Sequence, residues 1–181
     1  MANEAASALQ ALEFDPINPD LPDFYIRFIH YRPERRRQCI NTMKLEDYTG
    51  KLNDHNKYLR IIKKLKSRCK YIEYVLVNEK EKGFIEQFEN FIISIKPKDK
   101  WWGTKSGKKS KVYKLEASKE IFQYLQQCET FCKYNVSANG DIVEATNFGI
   151  NDIAFFDDED MPLLFTTTHE GYITIRDDLI R

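Results

Sequence analysis

Pro162-Leu-Leu-Phe-Thr-Thr167, Thr168-His169-Glu170-Gly171 and Tyr172-Ile-Thr-Ile-Arg176 follow one another without interruption, and this stretch decides the fold class. The flanking runs are rich in β-branched and aromatic residues, and a short turn-forming segment ending in glycine separates them. That pattern predicts a tight antiparallel hairpin. Upstream, residues 152–156 and 142–145 repeat the strand composition, and Asn139-Gly140 is a two-residue turn signal before them. The last third therefore reads as a meander of short strands.

Working outward, the earlier two-thirds favour helix. Leu45, Tyr48, Leu52, Tyr58, Leu59, Ile62 and Leu65 recur at three- and four-residue spacing, which predicts helix over 44–70, divided at Gly50. Residues 71–77 have strand composition, and 81–90 a helical pattern with Phe84, Ile85 and Phe88 inward. Residues 91–95 are apolar and β-branched, suiting a strand or the end of that helix. Residues 96–111, rich in Lys, Gly and Ser, interrupt all periodicity and read as a loop. Ser118 suits an N-cap for a helix to about 134, placing Ile121, Phe122, Leu125, Cys128 and Cys132 on its core face.

Nearer the start, 2–13 suits a short helix and 24–31 a strand or short buried helix. Pro33 favours the first position of a helix to 42. Three prolines within 14–22 make an irregular lead-in. The expected architecture is α+β: helices mainly in the N-terminal two-thirds, packed on an antiparallel β-meander that ends in a C-terminal hairpin. One domain spans 1–181, with 1–22 as the irregular lead-in.

The composition supports a packed core. There are 12 Phe and 10 Tyr among 181 residues, and a chain of this length buries a substantial interior without staples. No run approaches the ~18 apolar residues that cross a bilayer, and the first ten residues lack the order of a secretory signal. Cys39, Cys69, Cys128 and Cys132 match no zinc-site spacing; small core residues account for them better. These features point to a soluble protein of the reducing cytoplasm, with no metal, no cofactor and no membrane partner.

Charge is neutral in sum and segregated in sequence. Residues 32–70 hold 13 Lys/Arg against 4 Asp/Glu, and 96–119 hold 9 against 2. Residues 135–181 reverse this, with 2 against 10. Such blocks make a dipolar surface unless the fold interleaves them.

Individual motifs narrow the chemistry. In Gly103-Thr-Lys-Ser-Gly107-Lys108-Lys109-Ser110 the glycines have three residues between them instead of four, and Lys109 occupies the hydroxyl position of a phosphate loop. Nucleotide cradling is therefore disfavoured. The same segment, with Trp101, Trp102, Lys105, Lys108 and Lys109, could hold nucleic acid together with Arg35, Arg36 and Arg37, since aromatics stack bases and lysines meet phosphates. The plainer account is a solvated basic surface over packed tryptophans. Asp157-Asp158-Glu159-Asp160 lacks the alternate spacing of a calcium loop, and reads either as solubilising charge or as an acidic patch that docks on a basic partner. His169 and Glu170 sit at the predicted turn, where they cap backbone, meet a partner, or join a catalytic site assembled from distant residues. No nucleophile elbow or zinc-protease motif is present, and no catalytic residue is assigned.

The run Asp152-Ile-Ala-Phe-Phe-Asp157, followed by Pro162 to Ile175, resembles the strand-rich end of small bacterial immunity proteins. These neutralise toxins of contact-dependent inhibition and related polymorphic systems. The resemblance implies a cytoplasmic, non-enzymatic inhibitor that covers the active site of a cognate toxin. An acidic surface suits that task when the toxin is a basic nuclease, because carboxylates take the place of phosphates. The basic amino-terminal half departs from a purely acidic mimic. The expected partner is therefore a protein, contacted through Asp157, Asp158, Glu159, Asp160, His169 and Glu170. The alternative is a nucleic-acid-binding module using 32–70 and 96–119.

Overall fold

The computed structural model describes residues 44–102, 104–132, 134–136, 142–144 and 148–181. The expectations for 1–43, for Cys39 and for Asn139-Gly140 lie outside the described residues. Along the chain run β1 (Leu45–Asp47), α1 (His55–Arg68), β2 (Tyr71–Leu76), α2 (Gly83–Gln87), β3 (Ile92–Trp101), β4 (Thr104–Glu116) and α3 (Lys119–Gln127). There follow β5 (Tyr134–Val136), β6 (Ile142–Glu144), β7 (Asp152–Phe156), β8 (Pro162–Thr167), β9 (Tyr172–Arg176) and α4 (Asp177–Ile180).

Seven strands form one antiparallel sheet in the order β1-β9-β8-β7-β2-β4-β3, and β5 pairs with β6 separately. This overturns the expected architecture of helices mainly in the N-terminal two-thirds packed on a C-terminal meander. The sheet dominates, only α1 and α3 exceed two turns, and strands occur from Leu45 to Arg176. Two segments account for the difference. Residues 96–111 are not a loop but the body of a long hairpin, β3–β4. Most of its lysines are exposed and it carries few apolar side chains, so no apolar alternation marks it as strand. Leu45 is in a strand paired with β9, with Leu45 opposite Arg176. Gly50, at φ 71°, turns the chain before Asp54 caps α1 by accepting from the amides of Asn56 and Lys57.

The C-terminal expectations agree with the structure. β7, β8 and β9 occupy the anticipated residues, and their connection is a 3₁₀ turn (Thr168–Glu170) closed by Gly171 at φ 75°. Left-handed backbone at that position favours glycine. Ser118 caps α3 by accepting from the Ile121 amide. That helix stops at Gln127, so Cys128 and Cys132 are core residues beyond its end rather than neighbours on one helix face.

Period-two alternation divides the sheet into two faces. Ile72, Tyr74, Ile153, Phe155, Leu164, Ile173 and Ile175 form one face and pack with Tyr58, Ile62 and Leu65 of α1 and Ile121, Phe122 and Leu125 of α3. Phe155 is fully buried at its centre, 5.5 Å from the Phe131 ring. The Tyr58 hydroxyl donates to the Leu125 carbonyl at 2.6 Å, tying α1 to α3. The other face carries a smaller cluster of Tyr71, Ala154, Phe156 and Phe165, against which Leu45 and Trp102 pack. Trp102 reaches it because the β3–β4 hairpin folds across that face.

Candidate functional site

The acidic turn between β7 and β8 is built on its first residue. Asp157 is buried, and its Oδ2 accepts from Arg176 Nη1 at 2.6 Å. Its Oδ1 accepts from the amides of Glu159 and Met161 at 3.0 and 2.9 Å, the pattern by which an aspartate closes a turn on itself. Asp160 takes a left-handed backbone at φ 60°. Asp158, Glu159 and Asp160 are exposed. Asp157 thus fixes the backbone that carries the other three, of which Asp160 also meets the Tyr71 hydroxyl.

A chain of alternating charge continues from it. Arg176 Nε donates to Asp178 Oδ1 at 2.9 Å, and Asp178 also pairs with Arg68 of α1. Burial raises the Asp178 carboxyl, but hydrogen bonds from Arg68 and Arg176 outweigh it and hold the group below its ordinary value of 3.8. A depressed folded value contributes stability that is fully present above about pH 4 and lost as pH falls through the folded value. Urea midpoints measured from pH 6 down to pH 2.5 are thus expected to decline less steeply for Asp178→Asn than for the wild type.

The turn bearing His169 and Glu170 lies at the other end of β8. Asp152 Oδ1 accepts from the Thr168 amide at 2.6 Å, and Thr168 Oγ1 donates to the Asn151 carbonyl at 2.9 Å. Six strand residues separate this turn from the acidic one, about 20 Å at roughly 3.4 Å per residue. The structure does not bring Asp157–Asp160 and His169–Glu170 into one patch.

The basic residues are divided in the same way. On α1, Lys57, Arg60, Lys63 and Lys66 are exposed, whereas Lys64 donates to the carbonyls of Leu179 and Arg181 and Arg68 is held by Asp178. On the hairpin, Trp101 Nε1 donates to Asp152 Oδ2 at 2.6 Å, and the Trp102 ring lies 5.2 Å from Phe156 and 6.2 Å from Phe165. Both tryptophans are engaged inward. Lys98 pairs with Glu73, and Lys114 sits 3.4 Å over the Tyr71 ring. Lys105, Lys108 and Lys109 remain exposed; Arg35, Arg36 and Arg37 lie outside the described residues.

No protein-family model, curated protein sequence or solved structure matches this chain. Its own residues carry the functional reading.

The thiols suit packing rather than nucleophilic attack. Burial pushes Cys69 up to about 12 and Cys128 up to about 11, so neither is a thiolate at neutral pH. Among the described residues no group of three or more His, Cys, Asp or Glu is placed to hold a metal, and no helix is long and apolar enough to cross a membrane.

Three organising residues were not evident from sequence. Asp152 begins β7 and Arg176 ends β9, and a charge at the end of an apolar, β-branched run is the available signal for a buried, hydrogen-bonded charge. Asn151 is fully buried and accepts from the Val77 and Asn78 amides at 2.8 and 3.0 Å while donating to the Glu81 carbonyl. It secures the connection from β2 to α2. Nothing in its local sequence distinguishes it from an ordinary turn asparagine.

Proposed function

We propose that this chain is a cytoplasmic protein-binding inhibitor of the toxin-immunity type, which covers a basic nuclease toxin with the β7–β8 turn. The supporting observation is the withdrawal of Asp157 into its pair with Arg176, which leaves Asp158, Glu159 and Asp160 at the surface on a backbone closed by hydrogen bonds. A pre-formed turn loses little conformational entropy on docking. Its concentrated negative charge accelerates encounter with a positive cleft and fixes orientation. His169 and Glu170, at the far end of β8, are not part of this contact.

The variant D158N/E159Q/D160N tests it. Cells expressing a basic nuclease toxin should survive with wild-type chain and lose protection with the variant, at equal soluble protein. Full protection by the variant removes the turn from the contact.

A further inference from the structure

The β3–β4 hairpin departs from ordinary pairing at one place. Lys98 lies opposite Ser110 and Lys100 opposite Lys105, so four residues of β4, Ser106 to Lys109, face Asp99 alone. They form an arch standing off the ribbon, and a Cβ at Gly107 would meet nothing within 4 Å. The Lys108 amide donates to Ser106 Oγ at 3.2 Å, shaping the bend. Lys100, Lys105, Lys108 and Lys109 are all exposed.

Two lysines directly opposite on paired strands repel each other, and the arch adds two more. Folding alone gains nothing from this arrangement. Neighbouring lysines show the contrast, since Lys98 and Lys111 pair with Glu73 and Glu79. Among the described residues no carboxylate forms an ion pair with any of the four. Meanwhile Trp101 and Trp102 anchor the hairpin tip on Asp152, Phe156 and Phe165, so the arch is carried on a fixed ribbon.

We propose that this arch is a nucleic-acid backbone site, in which Lys100, Lys105, Lys108 and Lys109 meet phosphates and Ser106 and Ser110 add hydroxyl contacts. Residues 104–111 contain no large apolar side chain. A protein interface draws its energy from buried aromatic or aliphatic anchors, whereas phosphate contacts need only positive charge and hydrogen-bond donors. With the tryptophans turned inward, recognition is electrostatic and independent of base sequence. The arch shares no residue with the acidic turn, and each proposal stands or falls alone.

Fluorescence anisotropy with a labelled 20-nucleotide oligothymidylate and a labelled 20-base-pair duplex tests this. Four phosphate contacts predict that affinity for at least one of them falls roughly 10²-fold between 50 and 200 mM salt. K100Q/K105Q/K108Q/K109Q should reduce the slope of log affinity against log salt by about 3, and K108Q/K109Q by about half as much. K57Q/K63Q/K66Q on α1 should leave it unchanged. Absence of a complex at 50 mM salt overturns the proposal, as does an equal loss in the α1 variant. Displacement by poly-glutamate as effective as by unlabelled oligonucleotide, at equal charge, shows an acidic protein segment to be the ligand and overturns it too.

Discussion

Arg176→Met is expected to cost about 3–5 kcal/mol of folding free energy, the usual consequence of leaving one member of a buried ion pair uncompensated. The Arg176 side chain is 3% exposed and that of Asp157 11%, so water cannot replace the lost guanidinium. Asp157 would retain the Glu159 and Met161 amides but lose the one cation that pairs with it among the described residues, and Asp178 would keep its pair with Arg68. The methionine stem fills most of the arginine's path, which confines the effect to charge. Urea denaturation at pH 7 measures it. Asp158→Asn, one residue from the pair but exposed, should change stability by less than about 0.5 kcal/mol, as surface substitutions do. Equal stability of Arg176→Met and wild type would mean that the pair does not organise the turn.

Asp152→Ala carries the second large effect, about 3–5 kcal/mol. Asp152 is 2% exposed, and its two oxygens serve separate donors: the Trp101 indole and the Thr168 amide, both at 2.6 Å. Hydrogen bonds to a charged group contribute about 1.5–3 kcal/mol each, and alanine leaves both donors without that acceptor. Asp152→Asn gives a finer result. Its amide oxygen satisfies one donor, while its NH₂ faces the other, so a loss of about 1–3 kcal/mol is expected. Hydrogen exchange localises the damage. Amides of 96–111 and of 166–171 should exchange faster together, because one carboxylate tethers both the hairpin tip and the β8–β9 turn. Acceleration in only one segment would contradict that coupling.

Neither residue is legible as an organiser in the sequence, whereas much of the sheet around them is. β7, β8 and β9 were readable because each is a compact β-branched or aromatic run bounded by turn residues, and Gly171 marks the one left-handed position in the hairpin. The N-cap at Ser118 was readable because it immediately precedes an apolar helical period. The hairpin β3–β4 was not, because lysine and serine at a sheet edge resemble a solvated loop when seen one residue at a time. β1 was misread for the opposite reason. Leu45, Tyr48 and Leu52 keep helical spacing although the backbone there is a strand followed by a glycine turn. The acidic run was legible as a block of charge, but not as one buried residue holding three exposed ones. That distinction depends on Arg176, nineteen residues away, and on a pairing only the folded sheet supplies.

The proposed docking turn of Asp158, Glu159 and Asp160 is tested by its affinity for a toxin. Titration calorimetry compares wild type and D158N/E159Q/D160N against a basic nuclease toxin, at low and at physiological salt. Wild type should form a complex, the variant should bind at least about 10-fold more weakly at low salt with a smaller difference at higher salt, and its urea midpoint should stay near that of the wild type. No complex with the wild type, or equal affinity for both proteins at low salt, would contradict it.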